Sequence, residues 1–300
     1  MPLFKQLELK SIPDDAIFKV LRSSGTTGQV PSRIYLDRQT AALQSKTLVK
    51  IMQHWLGKDR RPMLIIDHPG VITDRSSFSA RGAGIQGLSF MGRNHTYALN
   101  NDMSPNWSAL EHFCDQFSQQ PVLIFGFTFM VWQLLMALEQ SGHSLRLPQA
   151  SLLHSGGWKK LQDQAVDNTV FRTKCQQLLG TTQVHNFYGM VEQVGSVFVE
   201  CEQGHLHCPA YADVLVREPG SWRVLPVGAE GVLQVISLVP HSYPGHLLLT
   251  EDKGRLLGED DCRCGRPGKY FVVLGRMAKA EVRGCSDTAE PAPAQAGAIA

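Results

Sequence analysis

Short apolar runs alternate with stretches of helical spacing up to about residue 190. Apolar side chains recur every three or four positions between Leu48 and Leu56 and again between Trp107 and Phe117. The dipeptide Ser104-Pro105 predicts the start of the second of these helices, and Gly180 predicts the end of a third helical stretch. This alternation is typical of a layered α/β fold. The predicted strands comprise residues 32–36, 63–67, 122–125 and 151–154.

The pattern changes at Ser196, after which short β segments are separated by Gly, Pro and Asp. Their predicted positions are 196–200, 212–216, 231–237, 246–250 and 270–274. We therefore expect an α/β core with a phosphate loop over residues 1–195 and a β-rich subregion over 196–287. Residues 288–300 are low in complexity and are expected to be a disordered tail.

Composition narrows the function classes. The 300 residues carry 29 Lys+Arg and 27 Asp+Glu, a net charge of +2, and 43% hydrophobic residues. Near-neutral charge without a basic tract argues against a nucleic-acid partner. The longest apolar stretch, 122–138, is interrupted by Gly126, Thr128 and Gln133 and is too short for a membrane span. We expect a cytoplasmic protein. Its seven cysteines fit no secreted disulfide framework and point to metal ligation, catalysis or burial.

The strongest local motif is the run Arg-Ser-Ser-Gly-Thr-Thr-Gly-Gln over residues 22–29. Its glycines allow close backbone approach, and its hydroxyls and amides offer donors to phosphate oxygens and an oxygen for Mg²⁺. No Lys-Ser/Thr pair follows the second glycine, so it is not a Walker loop. A polar turn between two strands is the alternative. The candidate phosphate ligands are Ser23, Ser24, Gly25, Thr26, Thr27 and Gly28.

Three later segments add to this prediction. Residues 186–192, Asn-Phe-Tyr-Gly-Met-Val-Glu, place an aromatic ring, a glycine and a carboxylate together, suited to stacking a base and holding a metal. Asp252 follows one predicted strand, and its carboxylate can accept hydrogen bonds from ribose hydroxyls. Arg276 follows another, and its guanidinium can bind a phosphate or a ribose. The ordinary alternatives are a core tyrosine, an aspartate in a turn and a surface arginine.

The order and character of these motifs resemble the adenylate-forming superfamily of acyl and aryl ligases. Within it, the chain is similar to the acyl-protein synthetases of the fatty acid reductase complex of bacterial bioluminescence. The resemblance extends from about residue 3 to 287. It is carried by residues 23–32, 187–195, 242–246, 262–266 and 281–286.

The resemblance implies ATP and Mg²⁺ as cofactors. It implies that residues 23–28 wrap the phosphates, with Thr26 near the metal. It places Tyr188 and Gly189 at the adenine, Glu192 on Mg²⁺, Asp252 on the ribose, Arg276 at the ribose or a hinge, Lys279 at the hinge, and Gly156 and Gly157 beside the nucleotide and acyl pocket.

The resemblance also implies that Cys285 carries the acyl group as a thioester. An acyl adenylate is a mixed anhydride, and a thiolate is an effective acceptor that preserves acyl activation. Arg283, two positions before Cys285 in the sequence, is expected to lower the pKa of that thiol. The implied partners are a carboxylic acid, most simply a long-chain fatty acid, and reductase and acyltransferase components. An unreactive buried cysteine is the alternative.

A second group of cysteines suggests zinc. Cys262 and Cys264 can combine with Cys201 and with a histidine from residues 204–208, of which we select His207. Three thiolates and one imidazole suit a tetrahedral structural zinc site. Unligated cysteines are the alternative.

The glycine-rich segment 81–93 does not follow a convincing strand, which argues against a dinucleotide loop. We expect it to shape the acyl pocket together with Phe127, Thr128 and Phe129.

Compared with acyl-CoA synthetases, the chain is expected to lack a complete C-terminal lid domain, and its N-terminus is expected to be shortened. The predicted reaction is formation of an acyl adenylate followed by self-acylation at Cys285. The alternatives are an AMP-forming acyl- or aryl-CoA ligase or amide ligase, and a truncated, non-catalytic homologue.

Overall fold

The computed structural model describes residues 3–23, 31–73 and 80–277. The backbone forms two compact units. Within the described residues, the first unit comprises 3–23, 31–59 and 185–277, and the second comprises 60–73 and 80–184. The chain therefore leaves the first unit and returns to it, a division that differs from the sequence-predicted boundaries at residues 195 and 287.

The first unit begins with helix α1 (Leu3–Gln6) and an antiparallel pair, β1 (Lys19–Arg22) and β2 (Arg33–Leu36). Helix α2 (Arg38–Leu56) follows. Its N-terminus is capped by the Asp37 carboxylate, which accepts a hydrogen bond of 2.6 Å from the Thr40 amide. Gly57 ends it with φ of 81°, a conformation that favours glycine. The predicted strand at 32–36 and the helical spacing before Leu56 are thus confirmed.

The second unit alternates strands and helices. Its elements are β3 (Arg61–Ile66), α3 (Gly70–Thr73), α4 (Ala80–Leu88), β4 (Gly92–Tyr97), α5 (Trp107–Phe117), β5 (Val122–Phe127), α6 (Thr128–Ser141), β6 (Ala150–Ser155) and α7 (Asn168–Leu179). The strands are parallel in the order β4-β3-β5-β6. Every residue of β5 and β6 is buried, as expected for a parallel sheet covered on both faces.

The position at which helix α5 begins corrects one sequence prediction. Helix α5 begins at Trp107 and its cap is Asn106, whose side chain accepts a hydrogen bond of 3.1 Å from the Ala109 amide. Ser104 and Pro105 lie outside the helix because Ser104 is held in a preceding turn by the Asp102 carboxylate. The helical stretch ending at Gly180 is present as α7, and Gly180 has φ of 83°.

The rest of the first unit, which the chain re-enters within β7 at His185, is mainly antiparallel β structure. Its strands are β7 (Gln183–Tyr188), β8 (Phe198–Glu200), β9 (Leu206–His207), β10 (Ala212–Arg217), β11 (Glu230–Ser237), β12 (Leu247–Glu259) and β13 (Lys269–Arg276), in the order β10-β11-β12-β13-β9-β8-β7. Phe198, Phe271 and Tyr243 lie in its buried core. The predicted α/β fold with a β-rich region is confirmed.

Helix α6 carries most of the long apolar stretch seen in the sequence, and most of its apolar side chains are buried. Among the helices of the described residues, none has the length and apolar character that a bilayer crossing requires.

Candidate functional site

The described flanks of the predicted phosphate loop meet at Ser23 and Ser32. The Ser32 amide donates to the Ser23 hydroxyl oxygen at 2.8 Å, and the Ser23 amide donates to the Ser32 carbonyl at 3.1 Å. These bonds extend the pairing of β1 with β2, whose last register pair is Arg22 with Arg33. The candidate ligands Ser24, Gly25, Thr26, Thr27 and Gly28 lie outside the described residues.

Tyr188, Asp252 and Arg276, three predicted nucleotide ligands, come together in the first unit. The Tyr188 hydroxyl donates to Asp252 Oδ2 at 2.6 Å, and Arg276 Nε lies 3.6 Å from Asp252 Oδ1. Asp252 and Arg276 are register partners on β12 and β13, which explains their proximity. Burial, reinforced by the neighbouring carboxylate, raises the pKa of Tyr188 well above its usual range. The phenol therefore stays protonated and orients the carboxylate.

Gly189 follows Tyr188 directly, and a Cβ at this position would lie 3.1 Å from Val197 Cγ1. The backbone after β7 thus passes close to the chain that leads into β8. A glycine at this position permits that approach.

Glu192, the predicted Mg²⁺ ligand, lies in a short 3₁₀ turn and is 6% exposed. The backbone on either side is held by the segment 242–246. Tyr243 donates from its hydroxyl to the Glu192 carbonyl at 2.9 Å, and Gln193 Nε2 donates to the Gly245 carbonyl at 2.8 Å. The sequence motifs at 187–195 and 242–246 are therefore two halves of one packed arrangement.

Helix α2 completes this arrangement. Gln44 Nε2 donates to the Tyr243 hydroxyl at 3.2 Å, and Gly195, with φ of +93°, packs directly on the Gln44 backbone. Sequence reasoning did not identify Gln44, Gln193 or Tyr243 as positioning residues. The sequence offered one signal for Tyr243, because this residue lies in the motif at 242–246. It offered none for Gln44, which lies in helix α2 outside every motif.

In the second unit, the carboxyl ends of β5 and β6 carry a small hydrogen-bonded group. The Thr128 hydroxyl donates to the Ser155 carbonyl at 3.1 Å and lies 2.9 Å from His154 Nδ1. Gly156 follows with φ of 80°, and Gly157 has open space where a Cβ would stand. In open α/β sheets, ligands bind outside the carboxyl ends of the strands, which is where both glycines lie.

The segment 81–93 forms most of α4 and the start of β4. At Gly84 a Cβ would lie 3.1 Å from Phe127 Cζ, so α4 packs on the end of β5. This contact joins two of the segments that we expected to shape an acyl pocket. That role stays a prediction.

A cysteine and histidine cluster lies in the first unit. Ligand atoms of Cys201, His207, Cys262 and Cys264 all lie within 4.8 Å of one another. The Cys201 and Cys262 sulfurs are 4.0 Å apart, and Cys264 Sγ is 3.3 Å from His207 Nε2. A zinc ion with Zn–S bonds of about 2.3 Å places neighbouring ligand atoms about 3.8 Å apart. The four residues selected from the sequence thus stand at distances that fit a tetrahedral ion.

The surroundings of the cluster are partly apolar. Trp55 and Tyr270 pack against it, and the Arg266 guanidinium lies 4.1 Å from the Trp55 ring centroid. Burial lowers the pKa of His207 to about 4, with Arg266 contributing, so the imidazole is neutral, the form that binds metals. His205 Nδ1 lies 3.4 Å from the Cys262 sulfur and is a neighbour of the four.

The described cysteines are all free thiols. Cys285, the predicted acyl carrier, and Lys279 lie outside the described residues.

Comparison with known proteins identifies the family. A family model described as acyl-protein synthetase, LuxE, matches residues 1–292. A long-chain-fatty-acid–luciferin-component ligase of Vibrio harveyi is 23% identical over 173 residues, which cover 56% of this chain and 44% of that protein.

Solved structures share the fold. An open conformation of 2-hydroxyisobutyryl-CoA ligase matches with a TM-score of 0.66 and 18% identity, over 91% of this chain and 61% of that one. The amide bond synthetase McbA from Marinactinospora thermotolerans matches with a TM-score of 0.57 and 16% identity, over 89% and 51%. ATP-bound MatB from Rhodopseudomonas palustris matches with a TM-score of 0.56 and 17% identity, over 88% and 49%. The chain thus spans less than two thirds of the length of each of these relatives.

Proposed function

Because this chain belongs to the LuxE family of acyl-protein synthetases, we propose that it is an AMP-forming ligase that activates a long-chain fatty acid with ATP. The observation that carries the proposal is the Asp252 carboxylate held between the Tyr188 hydroxyl and the Arg276 guanidinium. A carboxylate fixed in this way accepts hydrogen bonds from the two ribose hydroxyls of a nucleotide. Tyr188 and Gly189 then line the base, and the hydroxyls and amides of residues 23–28 receive the phosphates.

The first step joins the acid to the nucleotide. The substrate carboxylate attacks the α-phosphorus of ATP, the bond to the β-phosphate breaks, and pyrophosphate leaves. Magnesium bound with ATP would neutralise charge on the phosphates. Glu192 offers a carboxylate oxygen, the donor type that Mg²⁺ prefers, on backbone fixed by Tyr243 and Gln193, and Thr26 is the second proposed ligand. For Gly156 and Gly157 the family resemblance implies a place beside the nucleotide and acyl pocket, and Gly157 has open space where a Cβ would stand.

In the second step, the Cys285 thiolate attacks the acyl carbonyl, a thioester forms, and AMP leaves. The family description and the name of the Vibrio harveyi relative support a fatty acid and a protein as the reactants. A thioester on the chain would serve reductase and acyltransferase partners. The free thiols of the described cysteines suit a cytoplasmic location.

Acid-dependent pyrophosphate exchange with hexadecanoic acid tests the first step. We expect exchange by the wild type and a loss of about 100-fold in kcat/KM for Asp252→Asn, because the ribose loses a charged acceptor. Asp213→Asn is the matched control, since Asp213 lies in the same sheet but pairs with Lys269. Equal losses for both variants would contradict the assignment of Asp252. Absence of ATP binding in a folded protein would favour the non-catalytic homologue.

Labelled hexadecanoic acid tests the second step. Label that stays on the denatured wild type, is released by hydroxylamine and is missing from Cys285→Ala is the expected result. Cys114→Ala serves as the control. Pyrophosphate exchange without labelling of the protein would instead favour transfer of the acyl group to CoA or to an amine.

We also propose that Cys201, His207, Cys262 and Cys264 hold a structural zinc ion. The support is their mutual spacing and the burial of Cys201, His207 and Cys262. Zinc bound there would tie the loop before β9 to the loop between β12 and β13. Elemental analysis should find about one zinc per chain in the wild type and none in Cys262→Ala. Cys175→Ala, which removes a buried thiol that is not one of the four cluster residues, should keep the metal.

A further inference from the structure

The second unit contains a buried polar cluster at the carboxyl end of β3. Asp67 follows the last residue of the strand and is 1% exposed, and Arg81 in the first turn of α4 is 5% exposed. Among the described residues, Arg81 is the one arginine or lysine that is buried. Burying a charged pair costs free energy unless good hydrogen bonds compensate it.

The compensation is incomplete here. Arg81 Nε and Asp67 Oδ2 are 3.6 Å apart, and neither atom has a hydrogen-bond partner. His68 Nδ1, on the next residue, is likewise buried without one. The other Arg81 nitrogens face His68 Nε2 at 3.5 Å and the Met130 sulfur at 3.7 Å, which are weak contacts. Three facing residues with unsatisfied buried atoms indicate a site built for a polar guest.

Gly70 packs closely against this cluster. A Cβ on Gly70 would stand 3.0 Å from His68 Nδ1, so a side chain at this position would crowd the imidazole. The position lies outside the carboxyl end of a parallel strand, where ligands of open α/β sheets bind. The cluster shares this edge with Thr128, which follows β5, and with Ser155 and Gly156, at the end of β6.

The chemistry of the two unsatisfied atoms selects the guest. Asp67 Oδ2 needs a donor, and Arg81 Nε needs an acceptor. One hydroxyl oxygen about 2.8 Å from both atoms satisfies the two together, because a hydroxyl donates and accepts at once. A carboxylate on the guest would only accept hydrogen bonds and so would satisfy Arg81 but be repelled by Asp67, and an ammonium group would only donate and so would satisfy Asp67 but be repelled by Arg81. A plain alkyl chain would leave both atoms unsatisfied.

We infer that Asp67 and Arg81 bind a hydroxyl group of the acid substrate, so that this enzyme activates a hydroxylated fatty acid in preference to the unsubstituted one. The inference rests on the proposed function and specifies its substrate class. Asp67 orients Arg81. An acid without the hydroxyl would leave both buried groups without a hydrogen-bond partner, and this cost lowers kcat/KM for that acid relative to the hydroxylated one.

The test compares acids of one chain length: hexadecanoic acid, its 2-, 3- and 16-hydroxy derivatives, hexadecanedioic acid and 16-aminohexadecanoic acid. In pyrophosphate exchange we expect kcat/KM for one hydroxy acid to exceed that for the parent by at least about 10-fold. Asp67→Asn and Gly70→Ala should reduce this ratio about 10-fold. Because the ratio is taken within each variant, a general loss of stability cancels.

Arg61→Gln is the control, because Arg61 lies at the other end of β3 and contacts Ser151, and its ratio should match that of the wild type. Equal use of parent and hydroxy acids would show that water alone fills the cluster and would overturn the inference. Preference for the diacid or the amino acid would overturn it too. Calorimetric binding of the same acids measures the preference without turnover, so a failure of acid activation is distinguished from a failure of hydroxyl recognition.

Discussion

Tyr243→Phe tests whether the fold of the first unit holds the Glu192 segment in place. The substitution removes one hydroxyl from a side chain with no exposed surface and keeps its ring. That hydroxyl donates to the Glu192 carbonyl at 2.9 Å and accepts from Gln44 Nε2 at 3.2 Å. Both contacts are buried, so neither partner group gains a bond to water when the hydroxyl is lost.

The magnitude follows from these two contacts. A buried polar group left without a partner costs about 1–3 kcal/mol, so we expect Tyr243→Phe to lower the free energy of unfolding by about 2–4 kcal/mol. Urea titration followed by circular dichroism measures the change. Freeing the Glu192 segment should also raise KM for MgATP in pyrophosphate exchange by about 10-fold.

Tyr35→Phe is the matched control, because it removes the same group from a tyrosine whose hydroxyl donates to Glu8 at 3.0 Å. The Glu8 side chain is 53% exposed, so water replaces the lost bond and the expected cost is below about 1 kcal/mol. If both variants lose the same stability, or if Tyr243→Phe changes neither stability nor KM, the positioning role of Tyr243 is wrong.

Three further predictions concern other parts of the first unit. Gly195→Ala should lower the free energy of unfolding, measured by urea titration, by about 1–3 kcal/mol more than Gly220→Ala. A Cβ at Gly195 would stand 2.7 Å from the Gln44 backbone, whereas Gly220, with a similar φ of +92°, faces open space. Equal losses would mean that only the positive φ matters. Tyr188→Phe removes the 2.6 Å hydrogen bond to Asp252 and should lower the free energy of unfolding by about 1.5–3 kcal/mol. It should also raise KM for ATP in pyrophosphate exchange. An unchanged KM would show that this bond does not contribute to nucleotide binding. Chelation of the purified protein should lower its thermal unfolding midpoint, and Zn²⁺ but not Mg²⁺ should restore it; a midpoint indifferent to both treatments would contradict the zinc proposal.

Local signals in the sequence located many elements. The predicted runs at 122–125 and 151–154 became β5 and β6, because uninterrupted apolar residues suit a strand buried on both faces. Strand β4 was missed because its sequence, Gly-Arg-Asn-His-Thr-Tyr, is polar and largely exposed. It is a strand because it pairs with β3 at the sheet edge, which no local pattern shows.

The same limit applies to the candidate sites. Residue types and motif order were sufficient to select candidate nucleotide ligands, of which Tyr188, Asp252 and Arg276 lie together, and the four cluster residues Cys201, His207, Cys262 and Cys264. They were insufficient to identify Asp67 and Arg81, because a lone aspartate after a strand and a lone arginine on a helix are common on protein surfaces. Their burial and their unsatisfied atoms became visible only in the packed structure.

By itself, the sequence determined the α/β character of the chain, the kinds of chemistry its motifs offer and the family it resembles, because periodicity, composition and short motifs are local properties. Tertiary structure decided which side chains meet. Tyr188 reaches Asp252 across 64 positions and Gln44 reaches Tyr243 across 199, through pairing and packing that no local window contains. That long-range packing also buries side chains. Burial determines how much free energy is lost when a hydroxyl or an ion pair is left without its partner.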